Sequence, residues 1–345
     1  MTSQNKNVIC ITSCDHYLGN AITHVLLHQE KKQSKRNYVV RALARDTSKL
    51  DDLKKCGAEV CQIDYNKQDT IERALNGAVW VLMVPESDHD RVHYASIFTD
   101  TCKKVGVGNI LFLSLLGADN AEQHSLRDYR DMERKAEAVI ERHCILRSAF
   151  AVQQLHYFSD CIVKKNKLEM PIRSDSRMSP IHLNDVFCAI HFIVLDKNGQ
   201  LYREMDRSHQ KKHYTLTGPE AISANTLVDM MNIITESKVE FEEIKRKQCE
   251  ENLRACDQKK VVDEPTSLGS KHEEGRDDLF PPPKHCPNDT EIDTICDILD
   301  YIKSGKANYV SGDVQKITDR EPIPVIWFFK NHRDEFRPKS PNKLV

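Results

Sequence analysis

Glycine is scarce in this chain, with twelve in 345 residues, about half the usual frequency of ~7%. Tight turns must therefore be built from other residue types. Apolar runs of membrane-spanning length are also missing, and the stretch Met1 to Asn7 is polar. This pattern points to neither a signal peptide nor a membrane anchor, so a cytoplasmic or nuclear location is expected. Net charge is nearly absent, with 50 Lys plus Arg against 52 Asp plus Glu, which argues against a broad nucleic-acid footprint and so against direct nucleic-acid binding. The twelve cysteines include no C-x-x-C pair. Reduced, mostly buried thiols are expected, and no metal site.

What is present begins with Val8-Ile-Cys-Ile-Thr-Ser-Cys-Asp-His-Tyr-Leu-Gly-Asn-Ala-Ile22, an apolar strand running into a helix through a loop with one glycine. Phosphate loops of dinucleotide sites place glycines at the sharp turn, at the close approach to pyrophosphate and at the helix-strand contact. Aligned on Gly19, the first two positions are Ser13 and His16. Side chains there crowd a phosphate, although the helix N-terminus still offers N–H groups and the positive end of its dipole. An ordinary strand-turn-helix and a working cofactor loop both fit this segment.

Strands and helices then alternate over short links, the pattern of a parallel sheet. Strands are expected at 38–44, 59–63, 78–84, 109–114 and 144–147, with helices at 18–28, 48–56, 69–75, 89–105 and 130–142. Beyond Phe150 the rhythm loosens into a smaller mixed lobe, with strands at 214–217 and 238–244 and a helix at 224–236. Residues 246–291 carry mixed charges, two glycines and the run Pro281-Pro282-Pro283, and are read as a disordered insertion. Helices return at 292–303 and 324–336. The division expected is 1–150 and 151–345, with later segments completing the sheet of the first part.

Several segments together resemble the NmrA-like family, a branch of atypical short-chain dehydrogenase/reductases: the opening loop with Gly19, Val-Arg-Ala-Leu-Ala-Arg-Asp at 40–46, Val84-Pro85, Phe-Leu-Ser-Leu-Leu-Gly-Ala at 112–118, Ile-Leu-Arg-Ser-Ala-Phe at 145–150, Ile-His-Leu-Asn-Asp-Val at 181–186, Tyr-Thr-Leu-Thr-Gly-Pro-Glu at 214–220, and Asp313 through Pro322. Their order and spacing cover nearly the whole chain apart from 246–291. The resemblance implies an α/β fold, a Rossmann-type doubly wound parallel sheet with a smaller mixed α/β C-terminal lobe. It also implies binding of NAD(P) and an interlobe cleft for a small-molecule substrate or a protein partner.

Arg45, just past the second strand, is the residue type that accepts the extra phosphate of NADP rather than the ribose hydroxyls of NAD, with Lys49 as a second cation; Arg41 is the weaker alternative. NADP(H) is therefore expected over NAD(H). The cofactor set read from the loop, the strand ends and the family positions is Thr12, Ser13, Asp15, His16, Tyr17, Leu18, Gly19, Arg45, Lys49, Asp64, Val84, Pro85, Ser114 and Phe150. Ser114 and Tyr129 stand where the resemblance implies a catalytic serine and tyrosine, yet the chain has no Tyr-x-x-x-Lys, and Glu133 follows Tyr129 by four. A carboxylate on that helix face would raise the phenol pKa, the wrong direction for acid-base work. Ser114 and Tyr129 also read simply as a strand-end hydroxyl and a helix-start aromatic. Asn184 or Asp185 reads as a helix cap beside His182, Asp64 as a turn residue, and Cys10/Cys14 or Cys56/Cys61 as redox pairs only if a thiol pKa is depressed.

Three functions follow, in order. The first is an NADP(H)-binding, redox-sensing regulator acting on a protein partner such as a transcription factor, through the cleft or through 246–291. The second is an NAD(P)H-dependent reductase of a small carbonyl or quinone, and the third a scaffold that has lost the cofactor.

Overall fold

The computed structural model describes residues 7–28, 37–120, 122–256, 279–280, 282–283 and 286–338. The elements run β1 (Asn7–Ile11), α1 (Tyr17–His28), β2 (Tyr38–Ala44), α2 (Asp51–Lys55), β3 (Glu59–Gln62), α3 (Gln68–Ala74), β4 (Ala78–Met83), α4 (Arg91–Val105), β5 (Asn109–Leu115), α5 (His124–Val139) and β6 (Arg142–Ser148). There follow α6 (Ser159–Lys165), β7 (Lys167–Met170), β8 (Arg177–Met178), α7 (Leu183–Val194), β9 (Lys212–Leu216), β10 (Ile222–Ser223), α8 (Ala224–Thr235), β11 (Glu240–Glu243), α9 (Arg246–Arg254), α10 (Asp289–Lys303), α11 (Asp313–Thr318) and α12 (Val325–Asn331).

Two compact units form. One comprises 1–118, 127–147 and 187–214, the other 119–126, 148–186 and 215–345. A seven-stranded sheet has the order β3-β2-β1-β4-β5-β6-β9, and β1, β2, β3, β4 and β5 pair in parallel. This is the Rossmann-type α/β arrangement, with its order reversing between β1 and β4. Covered on both faces, such strands read as continuous apolar runs. In β1 and β4 the residues Ile9, Cys10, Ile11, Trp80, Val81 and Leu82 are at most 1% exposed. On one face Val81, Met83, Ile110 and Phe112 pack with Phe98 and Cys102 of α4 and Met132 of α5.

Several expectations are corrected. The helix placed at 130–142 starts at His124 and stops at Val139. Its core stripe begins with Leu126, and positions 126, 129, 132, 136 and 139 share one face. The helix placed at 48–56 is a 3₁₀ turn, Thr47–Lys49, followed by α2. The insertion placed at 246–291 is ordered at its start. Residues Arg246–Arg254 form α9, with Cys249 and Leu253 buried, and the Arg246 guanidinium reaches Asp297 and Asp300 of α10 at 2.7 and 2.6 Å. Residues 257–278, the bulk of that segment, lie outside the described residues. The last helix ends at Asn331 rather than 336, although Phe336 is fully buried.

Asn109, fully buried at the start of β5, satisfies every polar atom it has. Its amide donates to the carbonyls of Val79 (2.8 Å) and Arg203 (3.1 Å), and its oxygen accepts from Arg142 Nε (3.0 Å) and the Met205 N–H (2.8 Å). Replacing it by Leu strands several buried backbone groups, each costing about 1–3 kcal/mol. Asn109→Leu should lower unfolding stability by about 3 kcal/mol or more, read as a shifted urea midpoint; a change within 0.5 kcal/mol, the ordinary scatter of about that size for surface substitutions, would refute this account.

Candidate functional site

The loop between β1 and α1 keeps the geometry of a glycine loop with two glycines gone. A β-carbon at position 19 would lie 2.4 Å from the Ser13 carbonyl oxygen and 2.6 Å from that of Thr12, so this position admits only glycine. Ser13, fully buried, takes the left-handed conformation itself, with φ of +58°, at a cost of about 1–2 kcal/mol. The N–H of His16 closes the turn on the Ser13 carbonyl at 3.1 Å. The Thr12 hydroxyl donates to the Val84 carbonyl (2.7 Å) and accepts from the Val84 N–H (2.9 Å). Pro85 follows, also buried. The ends of β1 and β4 are thereby fixed beside the helix N-terminus, at the carboxyl edge where such sheets take their ligands.

Sequence reasoning missed Glu86, the centre of this edge. It is 4% exposed. Its carboxylate accepts from the Tyr65 hydroxyl at 2.9 Å and the Ser13 hydroxyl at 3.4 Å, with Arg45 Nε at 3.8 Å and His16 Nε2 at 3.9 Å. Burial and then the charge of Asp15 push the Glu86 carboxyl up, and Tyr65, Arg45 and Ser13 oppose them, leaving it at about 7. The only sequence signal was an acid two places past Val84.

Arg45 faces this cluster. Its terminal nitrogen pairs with Asp88 at 2.9 Å, and its guanidinium lies 5.5 Å from the Tyr94 ring centre; Tyr94 stacks on Tyr65 at 4.5 Å. Arg45 Nε has no hydrogen-bond partner, and neither does Asp15 Oδ1, whereas Asp15 Oδ2 accepts the Asp46 N–H. An unmatched guanidinium donor and an unmatched carboxylate acceptor suit a phosphate and a hydroxyl respectively. With the cradle at Gly19, these atoms fit a dinucleotide, provided Glu86 sheds its charge. Lys49 is exposed, Tyr17 and Leu18 open α1, and Asp64 is a turn residue whose carboxylate accepts from the Asn66 N–H at 3.0 Å. Arg41 is committed to Glu59 and to the carbonyls of Ala74 and Asn76.

Ser114 and Tyr129 are held in structural contacts. The Ser114 hydroxyl, 1% exposed, donates to Glu133 at 2.5 Å, and Arg147 grips the same carboxylate at 2.9 and 2.7 Å. Tyr129 packs against the core, with the Arg91 guanidinium 5.5 Å from its ring centre. Glu133 thus accepts from both Ser114 and Arg147. Burial pushes the Cys10 and Cys14 thiols up to about 12, against a redox pair there.

In the second unit, Phe150 is buried, its carbonyl accepting the Ile181 N–H. The expected cap at the start of α7 is corrected. His182 Nδ1 accepts the Asn184 N–H at 3.2 Å, while the Asn184 and Asp185 side chains take the N–H groups of Leu279 and Ile323. Burial pushes Asp185 up to about 7, opposed by the Ile323 N–H.

Residues 20–148 match the model of an NAD(P)H-binding family. Over that stretch the chain is similar to NAD(P)H-binding proteins. An NAD(P)H azoreductase of Xenophilus azovorans is 25% identical over 186 residues, 53% of this chain and 60% of the relative. The chain therefore spans about 60% of the curated relative's length. Among solved structures, a Citrobacter triphenylmethane reductase superposes with a TM-score of 0.69 at 16% identity, over 95% of this chain and 99% of that one. An Escherichia coli NADPH-dependent quinone oxidoreductase, complexed with NADPH, gives 0.67 at 18%, over 92% and 97%. Both share the fold.

Glu86 also makes stability depend on pH. A carboxyl raised in the folded state binds its proton more tightly there than in the unfolded chain. Its contribution is complete below the unfolded value near 4.5 and is lost as pH rises through about 7. Glu86→Gln mimics the protonated form. It should leave stability unchanged below pH 4.5 and add about 3 kcal/mol in alkaline buffer, measured by denaturant melts across pH. An equal effect at both ends of the range would contradict the assignment.

Proposed function

We propose that this chain is an NAD(P)H-dependent oxidoreductase of the NmrA-like branch, with NADP(H) preferred, that reduces a small conjugated, electron-poor acceptor of the quinone, azo or dye type. The supporting observation is the commitment of the Ser114 hydroxyl to Glu133, a carboxylate that Arg147 also holds, in a unit whose cofactor loop keeps its shape. When bound, the reduced nicotinamide supplies a hydride. A simple carbonyl needs a positioned proton donor, and Ser114 is already donating elsewhere. A conjugated acceptor delocalises the incoming charge and takes its proton from water, so the chain need only bind and orient. Arg45 then supplies the phosphate contact that favours NADP(H), and Asp88, its present partner, competes for it. The relatives that reduce azo, triphenylmethane or quinone compounds fit this acceptor class by their names.

The regulator reading draws on a different observation. With Glu86 near 7, cofactor occupancy would respond to small changes around neutrality, as a sensor reporting to a protein partner requires. Calorimetric titration with NADPH and NADH, followed by a consumption assay over quinones, azo dyes and carbonyls, separates the readings. Turnover of conjugated acceptors supports the reductase, binding without turnover supports the regulator, and no binding at millimolar cofactor leaves the scaffold.

Two substitutions sharpen the test. Ser114→Ala should keep kcat of the folded protein within about threefold, whereas loss of a proton-transfer group costs about 10²–10⁴-fold. Arg45→Glu should remove the preference for NADPH, and Asp88→Asn should strengthen it; an unchanged NADPH to NADH ratio in both would remove Arg45 from the site.

A further inference from the structure

In the second unit, three side chains with metal-ligating atoms converge. His156 comes from the 3₁₀ segment Val152–Phe158, and His332 and Glu335 from the turn that follows α12. Their ligating atoms all lie within 4.8 Å of one another. The Glu335 carboxylate meets His156 Nδ1 at 2.5 Å and lies 3.6 Å from His332 Nδ1, and the two imidazoles are edge to face at 4.6 Å. Phe328 and Phe336, both fully buried, stand 5.1 and 5.7 Å from the His156 ring. The imidazoles are nearly enclosed, at 2% and 9% side-chain exposure, while Glu335 is 28% exposed.

We infer that His156, His332 and Glu335 form a binding site for a divalent transition metal of the zinc class, which ties the C-terminal segment to Val152–Phe158. Two imidazoles and one carboxylate are a donor set zinc accepts, with a fourth, solvent-side position left for water. The spacings suit it. Ligand bonds of about 2.0–2.2 Å in a tetrahedron put donors about 3.3–3.6 Å apart, so the 3.6 Å pair already fits and the 2.5 Å pair opens as the metal displaces the shared proton. No redox change is involved. His156 binds through Nδ1 as its Nε2–H tautomer, any second proton leaving to water, and the cation takes the place of the Nδ1 proton between nitrogen and oxygen. The phenyl collar lowers the local dielectric, which strengthens the attraction between ion and carboxylate. The sequence could not signal this site, since His156 and Glu335 are 179 residues apart.

The test is titration of the full chain, stripped with chelator, with zinc chloride and with cobalt chloride. One zinc per chain is expected, with a raised Tm, and cobalt should show the visible bands of nitrogen and oxygen ligation. His332→Gln and Glu335→Gln should each weaken zinc binding at least tenfold, the lower end of the roughly 10–100-fold losses seen even for groups behind the ligands. Cobalt bands characteristic of thiolate ligation would overturn the site, and that reading is made on the unmodified chain. So would undiminished affinity in both variants, absence of binding, or loss of binding only in Asp15→Asn, which would move the ion to the cofactor loop.

Discussion

At position 19 the helix α1 comes so close to the end of β1 that there is no space for a β-carbon, with backbone carbonyls 2.4 and 2.6 Å from where it would stand. The whole carboxyl edge of the sheet depends on that approach. To present its carbonyl there, Ser13 must turn left-handed, a conformation that most side chains resist. A small hydroxyl tolerates it and bonds to Glu86. Thr12 then fastens the ends of β1 and β4 through two bonds to Val84. A chain poor in glycine keeps this loop because the one position where backbone meets backbone is still glycine.

Charge around that loop is unusual for an anion site. A helix N-terminus favours an anion by about 0.3–1 kcal/mol, less than the repulsion a buried carboxylate can exert at close range in a medium of low dielectric. Glu86 and Asp15 would therefore dominate if both were charged. Burial decides the contest by raising Glu86 to about 7, so that near neutrality the loop alternates between an acidic and a neutral state. Arg45 is the balancing cation, shared among Glu86, Asp88 and the Tyr94 ring.

The central strands were legible because burial on both faces leaves an unbroken apolar run. Tyr38–Ala44 has the expected ends to the residue. Elements with one thin buried stripe were harder to read. Helix α9 buries only Cys249 and Leu253, one turn apart among charges, and reads as a loop until its Arg246 finds Asp297 and Asp300. The site was half legible. Gly19 and Arg45 carry local signatures, whereas Glu86 matters only because the fold buries it. Glu133 lies on the helix of Tyr129, but its partners Ser114 and Arg147 come from the neighbouring strands β5 and β6. Helical periodicity cannot reveal them.

Glu86 and Glu335 show how the same side chain reaches opposite electrostatic states in one protein. Burial raises both. Around Glu86 the strongest charge effect comes from another acid, Asp15, and the neighbouring donors only partly offset it and the burial, so the carboxyl settles at about 7. Around Glu335 two imidazoles donate, one at 2.5 Å, and the carboxyl settles at about 2. The first group can discard its charge, which is what an anionic ligand requires of a neighbour. The second keeps its charge at every physiological pH, which a cation requires. Buried thiols at about 12, as at Cys10, Cys14 and Cys144, take no part in either, so at these two sites the chemistry rests on carboxylate and imidazole despite twelve cysteines.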